Sequence, residues 1–270
     1  MAKATTGFLA SLIVVTPVLG QGSLRDTPDQ KEIPQSGIQD NSFFIEEAYN
    51  QEKGVVQHIS GLSYTMSPRK NLSFVFTQEW PLMGQTHQIS YTIPYNSYDE
   101  NRIHGLSDIM INYRYQLFND GDWAYVAPRF SVILPTGSEN QGLGNGVTGV
   151  QMSVPVSKEI SQAFVVHGNA GCTIIPRAKA LISYYTGGSL IWRAGDAIHF
   201  MLESLISSRA DVDSSGDVVR EAETVIGPGL RFAFNLHKLQ IVPGAGFPLS
   251  TNQGKTTASL FIYLSFEHPF

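Results

Sequence analysis

The sequence predicts an all-β fold, an antiparallel transmembrane β-barrel of about twelve strands with short periplasmic turns and longer extracellular loops. Three observations carry that expectation. From residue 55 onward the dominant hydrophobic period is two, and the connections between the alternating segments fall into two length classes. In addition, nothing after the N-terminal leader approaches the roughly 18 consecutive apolar residues that a membrane helix needs.

The alternation is clearest in three segments. Ile109, Ile111, Tyr113, Tyr115 and Leu117 oppose Asp108, Met110, Asn112, Arg114 and Gln116. Ile226, Pro228, Leu230, Phe232, Phe234 and Leu236 oppose Gly227, Gly229, Arg231, Ala233 and Asn235. Leu260, Ile262, Leu264 and Phe266 oppose Ser259, Phe261, Tyr263, Ser265 and Glu267. Applied along the chain, the pattern gives strands at 55–66, 71–80, 87–95, 105–117, 123–136, 146–157, 164–175, 179–192, 197–207, 221–236, 239–249 and 258–270. An even count returns both termini of the chain to one side of the barrel. A secreted β-sandwich also alternates, but its wet face is normally rich in Lys and Glu. Here the minor face is mostly Gly, Ser, Asn, Gln and Ala, which suits a crowded barrel interior.

Every second connection is short: Asn119 to Asp122, Ser157 to Gln162, Arg193 to Asp196, and His237 with Lys238. The others include the polar stretches 96–104, 137–145, 208–220 and 250–257, expected as extracellular loops. With that topology Trp80, Trp123 and Trp192 all fall on the periplasmic rim, where amphipathic rings favour the headgroup boundary. Tyr95, Tyr98, Tyr184 and Tyr185 are expected to form a thinner outer girdle.

The N-terminus explains how such a chain reaches a membrane. Lys3, the apolar core Gly7 to Val15 and the small-residue site Val18-Leu19-Gly20 define a signal peptide over 1–20. Residues 21–54 read as a flexible periplasmic arm, polar through Asn41 and then bearing the apolar anchor Phe43, Phe44 and Ile45 followed by Glu46 and Glu47. The barrel occupies 55–270. Charged residues make up 15% of the chain, low for a soluble domain, and the net charge of −5 argues against nucleic acid as a partner. One cysteine, Cys172, rules out an intrachain disulfide framework and a cysteine zinc cluster. No cofactor motif is present.

The ending Leu264, Phe266 and Phe270 looks like the signal read by the outer-membrane barrel-insertion machinery, with His268 where an aromatic is more usual. Other segments resemble the outer-membrane proteins named after the meta pathway of phenol degradation. They are Phe44 to Glu52 (FIEEAYNQE), Phe76 to Pro81 (FTQEWP), Gly105 to Asp108, Asn112 to Tyr115, and Leu134 to Gly137. The resemblance spans most of residues 43 to 270. It implies a barrel in the bacterial outer membrane, surrounded by membrane lipid and taking up a small hydrophobic or aromatic solute. It transfers no catalytic residue.

Inward positions carry Glu79, Asp108, Arg114, Arg129, His167, Glu203, Arg231 and Glu267, with His199 beside them. They read either as a lining that selects solutes or as wall pairs in which Arg114, Arg129 and Arg231 satisfy Glu79, Glu203 and Glu267. Phe43, Phe44, Glu46 and Glu47 are expected to plug the lumen, the glutamates reaching Arg114 or Arg231. A lipid hydrolase would need an oriented Ser–His pair. His58 with Ser60, and His87 with Ser90, lack a convincing third group. Asp211 to Gly216 matches half of a calcium loop, but Ala222 stands at its twelfth position. The expected function is passage of a solute, with a structural or adhesive outer-membrane protein as the alternative.

Overall fold

The computed structural model describes residues 42–66, 70–98, 102–119 and 121–270. The expected signal peptide and residues 21–41 of the arm lie outside the described residues. In chain order the strands begin with β1 (Val55–Thr65), β2 (Asn71–Leu82), β3 (His87–Tyr98), β4 (Ile103–Leu106) and β5 (Met110–Tyr115). There follow β6 (Tyr125–Val126), β7 (Arg129–Ile133), β8 (Gly149–Glu159), β9 (Phe164–Ile175), β10 (Leu181–Gly195) and β11 (Ile198–Val212). The last are β12 (Val218–Phe232), β13 (Phe234–Leu236), β14 (Leu239–Gly246), β15 (Leu249–Asn252) and β16 (Lys255–Pro269).

These segments build twelve antiparallel staves, because four staves are interrupted: β4 with β5, β6 with β7, β12 with β13, and β14 with β15. Two of the interruptions fall at prolines, Pro128 between β6 and β7 and Pro248 between β14 and β15. Proline has no N–H to give to a ladder, so neighbouring amides carry the pairing across, as Ala127 does to the Pro155 carbonyl. The barrel closes where β1 runs antiparallel to β16, from Val55 opposite Pro269 to Thr65 opposite Ser259. Closure leaves no open sheet edge among the described residues, the condition for backbone to sit in lipid.

Burial alternates as the period of two requires. Arg114, Asn112 and Met110 are buried while Ile111, Tyr113 and Tyr115 are exposed on the outer face. Phe261, Tyr263 and Ser265 are likewise buried, and Ile262 and Leu264 exposed. A band of large exposed apolar side chains around a buried polar interior is the inverse of a soluble domain.

Two expectations about the rims are corrected. The stretches 208–220 and 250–257 are not open loops, because β11 and β12 stay paired to Val212 and Val218, and β15 turns into β16 at Asn252 and Lys255. That second turn has two residues, Gln253 and Gly254, both at positive φ, which suits a tight hairpin. The four tyrosines do not form one girdle either. Tyr184 is exposed on the outside, whereas adjacent Tyr185 faces inward against Gly171 and Tyr98 is buried. Neighbours in a strand point to opposite faces, so they could not share a girdle.

Candidate functional site

The lumen is filled by the chain itself. Every residue from Ser42 to Gln51 is buried, none more than 6% exposed. Over its described part, the segment read as a flexible arm bearing candidate plug residues packs against the inner wall.

This segment is neither helix nor strand, so its amides need partners from the wall. The amides of Phe43, Phe44 and Ile45 all donate to the Glu203 carboxylate, at 3.0, 2.8 and 3.1 Å. Ala48 N–H donates to Ser157 Oγ at 2.7 Å, Asn50 N–H to Gln116 Oε1 at 3.0 Å and Gln51 N–H to Gln88 Oε1 at 2.6 Å. In return Gln116 Nε2 donates to the Ala48 carbonyl at 2.7 Å, and the Arg114 guanidinium to the Tyr49 carbonyl at 2.9 Å. Wall side chains thus play the part that neighbouring strands play elsewhere.

Charge is matched across the same interface. Glu46 receives Arg129 at 2.5 Å, the hydroxyl of Ser153 at 2.7 Å, and Arg114 at 3.8 Å. Glu47 accepts the amide of Ser42 at 3.1 Å, and His167 Nε2 and Arg231 approach it at 3.5 and 4.0 Å. Each of the three arginines thus meets a glutamate of the segment, and Arg114 also interacts electrostatically with the wall carboxylate Glu79, as Arg231 does with Glu203. The wall carboxylates have further neighbours. Glu203 faces the amides of residues 43 to 45. Glu79 and Glu267 flank Gln57 in register, with Gln240 opposite Glu267.

Apolar packing completes the fit. Phe43 lies against Phe261 and Tyr263, with ring centroids 5.2 and 5.3 Å apart, and Phe44 lies 5.0 Å from Phe261. Tyr49 meets Tyr125 edge-on at 4.4 Å. The Phe43 ring rests directly on backbone. A Cβ added at Gly229 or Gly244 would stand 2.6 or 2.7 Å from it, so only glycine fits.

The remaining expected residues are placed as follows. Asp108 is buried but belongs to an outer latch. It accepts the amides of Gly137 and Asn145 and the side-chain amide of Asn145, at 2.9, 2.7 and 2.7 Å, and so folds loop 137–145 over one end of the barrel. Trp80, Trp123 and Trp192 stand on the outer face near the end that carries residue 55; the Lys158 ammonium sits 4.2 Å over the Trp123 ring and Trp192 stacks on Phe200. Leu264 and Phe266 face outward on the closing strand, and the Phe270 amide bonds to the Gly54 carbonyl at 3.0 Å. His58 turns its Nε2 to His268 at 3.3 Å, and His87 its Nδ1 to the Tyr113 hydroxyl at 2.7 Å. Ser90 is buried with Asn112, on the other face from His87. Asp213 spends its carboxylate on the amides of Ser215 and Asp217. Sequence reasoning missed Gln88, Gln116, Ser153, Ser157 and the glycine floor. Gly227, Gly229, Gly244 and Gly246, each pair two residues apart on one face, were the available signal.

No protein-family model matches this chain, and no curated protein matches it. Its fold is similar to that of an outer membrane channel from Pseudomonas putida F1, with TM-score 0.62 and 13% identity over 83% of this chain and 98% of that one. It is also similar to the translocator domain of the autotransporter NalP from Neisseria meningitidis, with TM-score 0.50 and 12% identity over 82% and 90% of the two chains. At such identities the likeness speaks of fold alone. This chain has the closed antiparallel barrel fold of bacterial outer-membrane proteins, here with twelve staves.

Proposed function

We propose that this chain is an outer-membrane channel closed by its own N-terminal segment, passing a small hydrophobic or aromatic solute when that segment yields. The observation that carries the reading is the unbroken burial of Ser42 to Gln51 inside a closed barrel, with Glu46 matched to Arg129. A twelve-stave barrel lies between the eight strands that side chains fill and the sixteen or more that leave an aqueous channel. One extended segment is thus enough to obstruct it. Catalysis is not favoured, since His58 faces His268 and His87 faces Tyr113 rather than a serine.

The test is removal of residues 21 to 47 with the signal peptide kept, followed by single-channel recording in planar bilayers. Conductance is expected to rise several-fold. A truncated protein that inserts normally and conducts no more than the intact one overturns the reading.

A further inference from the structure

The wall around Phe43, Phe44 and Ile45 has the properties of a receptor whose present occupant is the chain itself. Its floor is backbone: Gly229, Gly244 and Gly246 lie under the Phe43 ring, and a Cβ at Gly227 would stand 3.0 Å from the Phe44 ring. Phe261, Tyr263 and Met201 belong to the same buried cluster, so the slot is flat, apolar and aromatic-lined. On the occupant's polar side stands a single carboxylate, Glu203, 1% exposed. The three N–H groups it accepts all belong to the segment: Phe43, Phe44 and Ile45. Arg231, on the neighbouring β12, approaches Glu47 and His199 and also acts electrostatically on Glu203, without supplying any of those three hydrogen bonds.

An occupant that replaces the segment must therefore do two things at once. It must fill a slot shaped for a flat ring, and it must give N–H donors to a buried carboxylate that has just lost three. We propose that the slot is a binding subsite for an aryl-alkyl ammonium, a flat aromatic ring carrying an amine a few bonds away, with Glu203 as the residue that selects it. An aromatic carboxylate fits the ring slot but places like charge beside Glu203. Of the guanidiniums that would welcome an acid, Arg114 and Arg129 are on β5 and β7, on a different part of the wall from Glu203 on β11, and the nearer Arg231 on β12 already faces the charge of Glu203 itself. This inference rests on the reading of the segment as displaceable, and it names what displaces it.

The test reads binding, not conductance, and so can fail while truncation still opens the pore. Full-length protein in detergent micelles is titrated calorimetrically with 2-phenylethylamine, phenylacetate and ethylamine. Alongside it runs a full-length chain carrying Glu46→Ala and Glu47→Ala, which frees the segment from Arg114, Arg129, His167 and Arg231. The released chain is expected to bind 2-phenylethylamine at least about ten-fold more tightly than either other probe. Glu203→Gln in that background is expected to remove the preference, with the barrel still folded by its heat-dependent gel shift. Equal affinity for phenylacetate, a preference that survives Glu203→Gln, or no binding of the amine to the released chain overturns the proposal.

Discussion

Arg129 on the barrel wall holds Glu46 on the segment inside it, and both side chains are almost fully shielded, at 2% and 1% exposure. The contact joins β7 to a residue that precedes the first strand, so it ties the N-terminal segment to the lumen at its middle. Removing one member of such a buried pair leaves a charge without compensation, at about 3–5 kcal/mol. Here the strain has an outlet, because the segment can leave. Glu46→Ala is therefore expected to raise open-channel probability while the barrel stays folded. Glu46→Ala combined with Arg129→Ala is expected to destabilise segment binding less than Glu46→Ala does, a non-additivity that single-channel recording measures.

Filling the glycine floor is expected to act on the same segment from the other side. A methyl at Gly244 must push the Phe43 ring away or shift the strand, and overpacking of this kind costs about 1–3 kcal/mol. Gly244→Ala is expected to increase the protease sensitivity of residues 42 to 47 without changing the gel shift of the barrel. A segment as protected as in the parent protein would contradict the packing described.

Phe270 and Leu264 govern insertion through the closing strand. Leu264 lies on the lipid face of β16, where a cationic residue at the midplane costs about 2–4 kcal/mol and an acidic one less. Leu264→Asp, and separately deletion of Phe270, are expected to lower outer-membrane levels. Normal levels for both would reverse the assignment of faces.

Asp108 gives a prediction confined to one rim. Its carboxylate receives both Gly137 and Asn145, so Asp108→Ala strands those donors and should unfasten loop 137–145. Faster hydrogen exchange is expected at Gly137 and Asn145, with strand amides of β5 and β7 unchanged.

Closure of β1 on β16 satisfies every stave from within one chain, so unfolding in detergent is expected to be slow and to give a heat-dependent gel shift. A stable monomer in detergent-free buffer would be incompatible with the exposed apolar band.

The alternation of Ile111, Tyr113 and Tyr115 with Asn112 and Arg114 determined the strands, their faces and the even count of staves, because the pleat forces neighbours apart and lipid punishes the wrong face. What the local rule left open was who partners whom inside. The inward set Arg114, Arg129, Arg231, Glu79, Glu203 and Glu267 admits many pairings, and period two says nothing about which of them meet. Only the tertiary structure decided that the arginines turn to Glu46 and Glu47, that Glu203 collects three backbone amides, and that four glycines on β12 and β14 make room for two phenyl rings. The physical reason is that these contacts join residues more than sixty positions apart, through a lumen that exists only once the last strand has closed on the first.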